Sequence, residues 1–309
     1  MADFRVGIDF GGTKIEIAAI AEDGTEILRR RVPNPREYEA AVRAVRELVE
    51  GAELELAGVA TVGVGIPGAV SPDTGLVKNA NSTWMNGRPF ARDLTAALAR
   101  EVRVENDANC FALSEAVDGA GAGHSIVFGV ILGTGVGGGI VVNERVLVGR
   151  HSIAGEWGHT PLPWPSLSEV PGPSCFCGNT GCNERYLCGS ALAMDCDGPG
   201  HEDASKIPER AEAGDQKAIA ALDRHAERLA RGLAQIINIL DPHAIVLGGG
   251  LSNMKHLYSK VPMLLQRHVV SPQCTTPILP NRHGDSSGVR GAAWLWPRDV
   301  HRTYRTSGS

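Results

Sequence analysis

Three glycine-rich turns hold the residue types that handle phosphate. Asp9-Phe10-Gly11-Gly12-Thr13-Lys14 places a carboxylate at the end of an apolar run, then two residues without side chains, a hydroxyl and an ammonium. Bare N–H groups there can approach phosphate oxygens closely, the threonine can donate, and the aspartate can hold Mg²⁺ through water. A hairpin whose glycines only satisfy positive φ is the structural alternative. Gly133-Thr134-Gly135-Val136-Gly137-Gly138 fits the G-x-G-x-x-G spacing. A dinucleotide site needs a helix directly after that motif, whereas Gly139 and Ile140-Val141-Val142 read as strand. No G-K-[ST] is present, which excludes a Walker A loop. Gly248-Gly249-Gly250, after a strand and before a helix, would let a flat base or ribose lie on bare backbone. Each turn alone is weak evidence. Three at comparable strand ends favour a nucleotide.

A second set of groups suits a polyol. Val104-Glu105-Asn106-Asp107-Ala108-Asn109 puts polar side chains where a strand turns into a helix. Phosphoryl transfer asks for positioning, charge neutralisation and a base near the attacking hydroxyl, and Asp107 suits that base. Its alternative is a helix cap, which Asp and Asn also supply. Glu156, His159 and Glu184 can accept from and donate to vicinal hydroxyls, or can simply be surface charges.

Cys175, Cys177 and Cys182 cluster within one short segment. Structural Zn²⁺ takes four N or S ligands, and His159 is the nearest fourth donor. The spacing is not that of a finger or ribbon, so the zinc expectation rests on clustering in a reducing compartment, with free thiols as the alternative. A closed four-ligand site would order the loop bearing Glu184 and leave catalysis to other groups.

The elements that must position these groups can be read from the pattern. Strands are expected at Phe4–Phe10, Ile15–Ile20, Glu26–Val32, Val59–Ile66 and Val102–Glu105. A helix opening at Pro35 carries the apolar stripe Tyr38, Ala41, Val42, Val45, Leu48 and Val49. The pattern then restarts with a strand at Ser125–Leu132, a glycine turn over Gly133–Gly139 and a strand at Ile140–Val142. One long helix is expected from near Pro208 to Leu240, ended by Asp241-Pro242. Strand, glycine turn, strand thus occurs twice, which predicts two similar α/β halves and a ligand cleft between them.

The chain has 309 residues with 43% apolar content, enough for about two domains. Thirty basic against 35 acidic residues give a net charge of −5, which argues against a nucleic-acid footprint. No apolar run is long enough to span a membrane. The charged start, Met1-Ala2-Asp3-Phe4-Arg5, predicts no secretory signal, so a cytoplasmic protein is expected.

Taken in order, Asp9 to Lys14, Asn106 to Asn109, Gly133 to Gly138, Gly155 to His159, Cys175 to Cys182 and Gly248 to Gly250 resemble the ROK family of sugar kinases and repressors. The resemblance covers essentially Val6 to Pro297. Segments Val77 to Trp84, Glu156 to Trp164 and His283 to Trp294 are most similar to bacterial manno(fructo)kinases, with N-acetylglucosamine kinases as the close competitor. The resemblance implies an α/β, actin/hexokinase-like (ribonuclease H-like) duplicated fold. Residues 1–120 with a C-terminal helix at about 288–302 would form the small domain, and 121–287 the large domain with the zinc loop. It further implies Asp107 as base toward the sugar C6 hydroxyl. Asn106, Glu156, His159 and Glu184 would bind the sugar, with Gly68 and Asn81 as neighbours. Asp9 would position Mg²⁺, and Gly11, Gly12, Thr13, Lys14, Gly133, Thr134, Gly135, Gly248, Gly249 and Gly250 would hold ATP. Its metal set is His159, Cys175, Cys177 and Cys182, with His159 serving sugar and Zn²⁺ through different nitrogens. The implied activity is an ATP-dependent hexose 6-kinase acting on fructose and mannose, or alternatively on N-acetylglucosamine or glucose, assembled as a homodimer. Two other classes bind sugars without transferring phosphate. A repressor of this family needs a DNA-binding helix-turn-helix ahead of the first strand, for which no room is expected. A sugar sensor without activity would be expected to lack Asp107 or a phosphate turn. Cys188 stands where a serine is usual, and Phe10 where a smaller aliphatic is.

Overall fold

A computed structural model of the chain describes residues 3–298. The chain divides into two units, one of residues up to Cys110 together with those from Gly288, the other Phe111–Ser287.

In the first unit, β1 (Phe4–Phe10), β2 (Lys14–Ile20) and β3 (Glu26–Pro33) form an antiparallel meander, and β4 (Ala60–Ile66) extends it in parallel beside β1. A short hairpin, β5 (Ala69–Val70) with β6 (Val77–Lys78), follows β4. β7 (Val102–Asn106) closes the sheet in the order β3-β2-β1-β4-β7. α1 (Tyr38–Leu56) buries the predicted stripe, including Val45, Leu48 and Val49. Its start is set by Glu37, whose carboxylate accepts from the N–H groups of Glu39 and Ala40, and not by Pro35. α2 (Phe90–Leu98) buries Phe90 and Leu94 in the same core.

The second unit repeats the arrangement. β8 (Ile126–Leu132), β9 (Val136–Val142) and β10 (Arg145–Val146) are antiparallel, and β11 (Ala244–Gly248) and β12 (Ile278–Pro280) continue in parallel from β8. The sheet order, β10-β9-β8-β11-β12, reproduces that of the first unit. This duplication, with helices on mixed sheets, is the actin/hexokinase-like fold.

Two elements differ from the sequence expectation. The turn after β8 is only Gly133–Gly135, and Gly137, Gly138 and Gly139 lie in β9 paired with β8. At Gly138 an added Cβ would stand 2.8 Å from the Trp157 ring, so the glycine serves strand packing. The single long helix is two, α6 (Ile207–Glu212) and α7 (Gln216–Leu240). Gly214 at φ 90° separates them, and Asp215 caps α7 by accepting from Lys217 and Ala218 N–H groups.

The remaining helices are α3 (Asp107–Val117), α4 (Glu184–Leu187), α5 (Gly189–Asp197), α8 (His256–Leu265) and α9 (Ser287–Trp294). The chain passes from the first unit to the second inside α3, between Cys110 and Phe111, whereas the sequence places the division near residue 120. It returns at the start of α9. Positions 299–302 of the expected C-terminal helix lie outside the described residues. No described helix is long and apolar enough to cross a membrane.

Candidate active site

In the first unit, the turn between β1 and β2 holds Gly11, Gly12 and Thr13, with Asp9 near the end of β1 and Lys14 opening β2. The turn is pinned from outside by Asn34, which donates from Nδ2 to Gly11 O at 2.7 Å and from its backbone N to Thr13 O at 2.9 Å. Nothing in the sequence marks the buried Asn34 except its place between two prolines, Pro33-Asn34-Pro35. Burial pushes the Asp9 carboxyl up and Glu16 adds to this, while Lys14 and Arg31 oppose it. A bound cation would reverse that bias, as a coordinating group is held charged.

β7 ends at Asn106 and α3 begins at Asp107. Asn106 Oδ1 accepts from the N–H groups of Ala108 and Asn109 at 2.9 and 3.3 Å, and its Nδ2 donates to Gly68 O at 2.8 Å. The helix cap is thus mainly Asn106. Asp107 is exposed, and its Oδ1 accepts from Ala108 N at 2.8 Å. Gly68 sits at φ 84°, and a Cβ there would be 2.4 Å from Lys78 O, so only glycine brings its carbonyl to Asn106. Asn81 is exposed in the loop after Gly68, a loop closed by Asn86, which exchanges hydrogen bonds with Ala80 N and Ala80 O.

In the second unit, the turn that carries Glu156 and His159 is tied to the start of α4, where Glu184 stands, by Asn183. This fully buried residue donates from Nδ2 to Trp157 O and to Thr160 Oγ1, both at 3.1 Å. Trp157 in turn donates to Gly137 O at 2.8 Å, which ties the Glu156–His159 turn to β9. Glu184 Oε2 accepts from Val136 N at 3.0 Å and lies against Gly135. The expected sugar contact Glu184 therefore stands beside the expected phosphate turn Gly133-Thr134-Gly135. Asn183 precedes Glu184 in a Cys-Asn-Glu step and was missed, since its role depends on burial.

His159, Cys175, Cys177 and Cys182 each offer a ligand atom, all within 4.8 Å of one another. Cys175 Sγ is 3.5 Å from His159 Nδ1, and Cys177 Sγ is 3.6 Å from Cys182 Sγ. A tetrahedral site with Zn–S bonds near 2.3 Å has ligand separations of about 3.7 Å, so the four residues fit one closed site. His159 turns Nδ1 toward this cluster, which leaves Nε2 for another partner.

A cavity of about 1010 Å³ opens in the second unit. Gly133, Thr134, Gly189 and Ser190 line one side, Gly250, Leu251 and Met254 another, and Ala211, Ile219 and Leu222 the apolar wall. The turn after β8 and the glycines after β11 therefore meet at one cavity. Gly250 reaches it, whereas Gly248 packs on the Phe111 ring and Gly249 on the Leu132 carbonyl. His256 also lines it; burial, with His225 and Lys260, pushes its imidazole down to about 4, so it is neutral at pH 7. The contribution of α6, α7 and α8 to this cavity had no motif in the sequence.

The sequence profile of the ROK family matches residues 5–299. An N-acetyl-D-glucosamine kinase of Yersinia pseudotuberculosis serotype O:1b is 42% identical over 296 residues, 94% of this chain and 97% of that protein. Among solved structures, the ROK hexokinase from Thermus thermophilus is similar with a TM-score of 0.84 and 31% identity, covering 94% of this chain and 97% of that one. A ROK family glucokinase from Streptomyces griseus, solved with glucose and AMPPNP, has a TM-score of 0.74 and 30% identity, covering 94% and 98%. The curated relative thus carries the name of the competitor in the sequence, an N-acetylglucosamine kinase, and not that of the manno(fructo)kinases that lead there.

Proposed function

Because the chain belongs to the ROK family and is an ATP-dependent sugar kinase, we propose that its acceptor is N-acetyl-D-glucosamine, phosphorylated at the C6 hydroxyl. The observation that carries the choice of sugar is the 42% identity to an N-acetyl-D-glucosamine kinase across 94% of the chain. Fructose and mannose become the less favoured acceptors.

Asp107 takes the proton of the attacking hydroxyl. Its exposure at the first residue of α3, with the cap supplied by Asn106, supports that role. Asn106, Glu156, His159 and Glu184 hold sugar hydroxyls, with Gly68 and Asn81 as neighbours. The nucleotide occupies the cavity between α6, α7 and α8, its base against Leu222, Leu251 and Met254, its phosphates toward Gly133, Thr134 and Gly135. Gly11, Gly12, Thr13 and Lys14 complete the phosphate contacts. Mg²⁺, when bound, neutralises charge on the transferring phosphoryl group, and Asp9 would help hold it. Zn²⁺ on His159, Cys175, Cys177 and Cys182 orders the loop that carries Glu184. A cytoplasmic homodimer belongs to the same proposal; the exposed apolar side chains Trp164, Leu167 and Phe176 are of the type a second copy covers.

The test is ADP release with MgATP across N-acetylglucosamine, N-acetylmannosamine, glucose, mannose and fructose, ranked by kcat/KM. N-acetylglucosamine is expected first. A clear lead for fructose or mannose overturns the choice of acceptor and leaves the kinase standing.

A further inference from the structure

Glu115 lies on α3, the helix that Asp107 begins, and is wholly buried. Its carboxylate is satisfied by main-chain N–H groups and one hydroxyl. Oε2 accepts from Ala120 N at 2.9 Å and Arg282 N at 3.0 Å; Oε1 accepts from Ser287 Oγ at 2.8 Å and His283 N at 3.4 Å. A buried carboxylate is costly unless its lone pairs are met, and these donors fix its direction. Ser287, 1% exposed, is the first residue of α9. The next residue, Gly288, rests against Asp9, where an added Cβ would stand 3.7 Å from the carboxyl carbon. Further along α9, Gly291 packs directly on α3, since a Cβ there would be 1.6 Å from Cys110 O. α3 and α9 therefore touch at two places, Glu115 with Ser287 and Cys110 with Gly291. They are also the two helices in which the chain leaves the first unit and returns to it.

We infer that Glu115 is a positioning residue for phosphoryl transfer: by gripping the first turn of α9 it holds Asp9 and Asp107 in register through the α3–α9 pair. The inference rests on the roles proposed above for those two aspartates. Glu115 makes no contact with substrate in this account. Its effect is on the geometry in which the hydroxyl, the base and the phosphoryl group meet, so it acts on kcat and leaves binding alone.

The experiment compares Glu115→Gln, Ser287→Ala and the double variant, assayed on the best acceptor well below each melting midpoint. Gln keeps the size but turns an NH₂ toward groups that donate. The expected result is kcat lowered about tenfold to a hundredfold in Glu115→Gln, with both KM values within about twofold of the unaltered enzyme. Ser287→Ala is expected to lose about threefold or more, and the double variant no more than Glu115→Gln alone, because both remove one contact. Folded variants with unaltered kcat, even with lowered melting points, overturn the inference, as do losses that multiply in the double variant or appear only in KM. Where Glu115→Gln does not accumulate as folded protein, Ser287→Ala decides in the same way. Asp107→Asn, measured beside them, separates the premises. Normal turnover there removes the proposed base, whereas its loss together with an intact Glu115→Gln overturns only this inference.

Discussion

Asn106 donates its side-chain amide to the carbonyl of Gly68 at 2.8 Å, and the same side chain caps α3 through Ala108 and Asn109. One asparagine thus joins the end of β7, the loop after β4 and the helix that presents Asp107. In the sequence, Asp107 could have been either the cap or the base. Asn106 provides most of the cap, and this supports the proposal of Asp107 as the base.

Asp107→Asn is accordingly expected to lower kcat by about 10²–10⁴, the usual contribution of a positioned base. The new amide oxygen can still accept from Ala108 N, so stability should change by less than about 1 kcal/mol. A coupled ADP assay beside a thermal melt checks both. Turnover within a few fold of the unaltered enzyme would remove Asp107 as the base.

The metal cluster predicts about one Zn per purified chain, the content of a single closed site. Cys182, only 1% exposed, should be the least replaceable ligand. Cys182→Ala is expected to lose the metal and to lower the melting point. Because the loop carries Glu184, sugar KM should rise more than ATP KM. Folded, active protein without zinc would defeat the structural role.

Glu169 anchors the loop that leads to those cysteines. Burial alone would raise its carboxyl, but hydrogen bonds from Arg231 and Arg228 overcome this and hold it at about 2. Arg231 also donates to Trp164 O at 2.7 Å, so the pair pins the backbone of the loop. A carboxyl held below its ordinary value contributes stability above that value, and loses it as pH falls toward the lowered one. Glu169→Gln should therefore cost on the order of 3 kcal/mol at neutral pH. The difference from the unaltered protein should shrink between about pH 5 and pH 2. Urea midpoints across that range measure it, and a pH-independent difference would contradict the ion-pair account.

Much of the frame was legible because burial imposes period. Phe4–Phe10 reads as a strand from its apolar run, and the α1 stripe from Tyr38 to Val49 is a helix face in the structure as in the sequence. Glycine was the weaker guide. Gly137, Gly138 and Gly139 were read as turn by propensity, yet Trp157 needs a bare strand beneath its ring. Asn34 and Asn183 were missed for a related reason. A buried asparagine that ties two loops looks, in sequence, like any polar residue between elements. The motifs marked where the chain meets phosphate and hydroxyls. They were silent on the apolar wall formed by Ala211, Ile219 and Leu222, since such residues read as ordinary core.

That wall yields the last prediction. Ala211 lines the cavity and is only half-buried, so a larger side chain can enter the space without disturbing the core beneath it. If the nucleotide base lies there, Ala211→Phe removes room for it and should raise ATP KM about tenfold or more, the scale of a misfit of methylene size or larger. Sugar KM should stay unchanged, because Glu156, His159 and Glu184 are held by Asn183 and β9 and not by α6. Calorimetric titration with ATP in the absence of sugar reads the same loss directly. Unchanged ATP affinity in a folded Ala211→Phe protein would move the base out of this cavity, and Gly133, Thr134 and Gly250 would then need another explanation for meeting there.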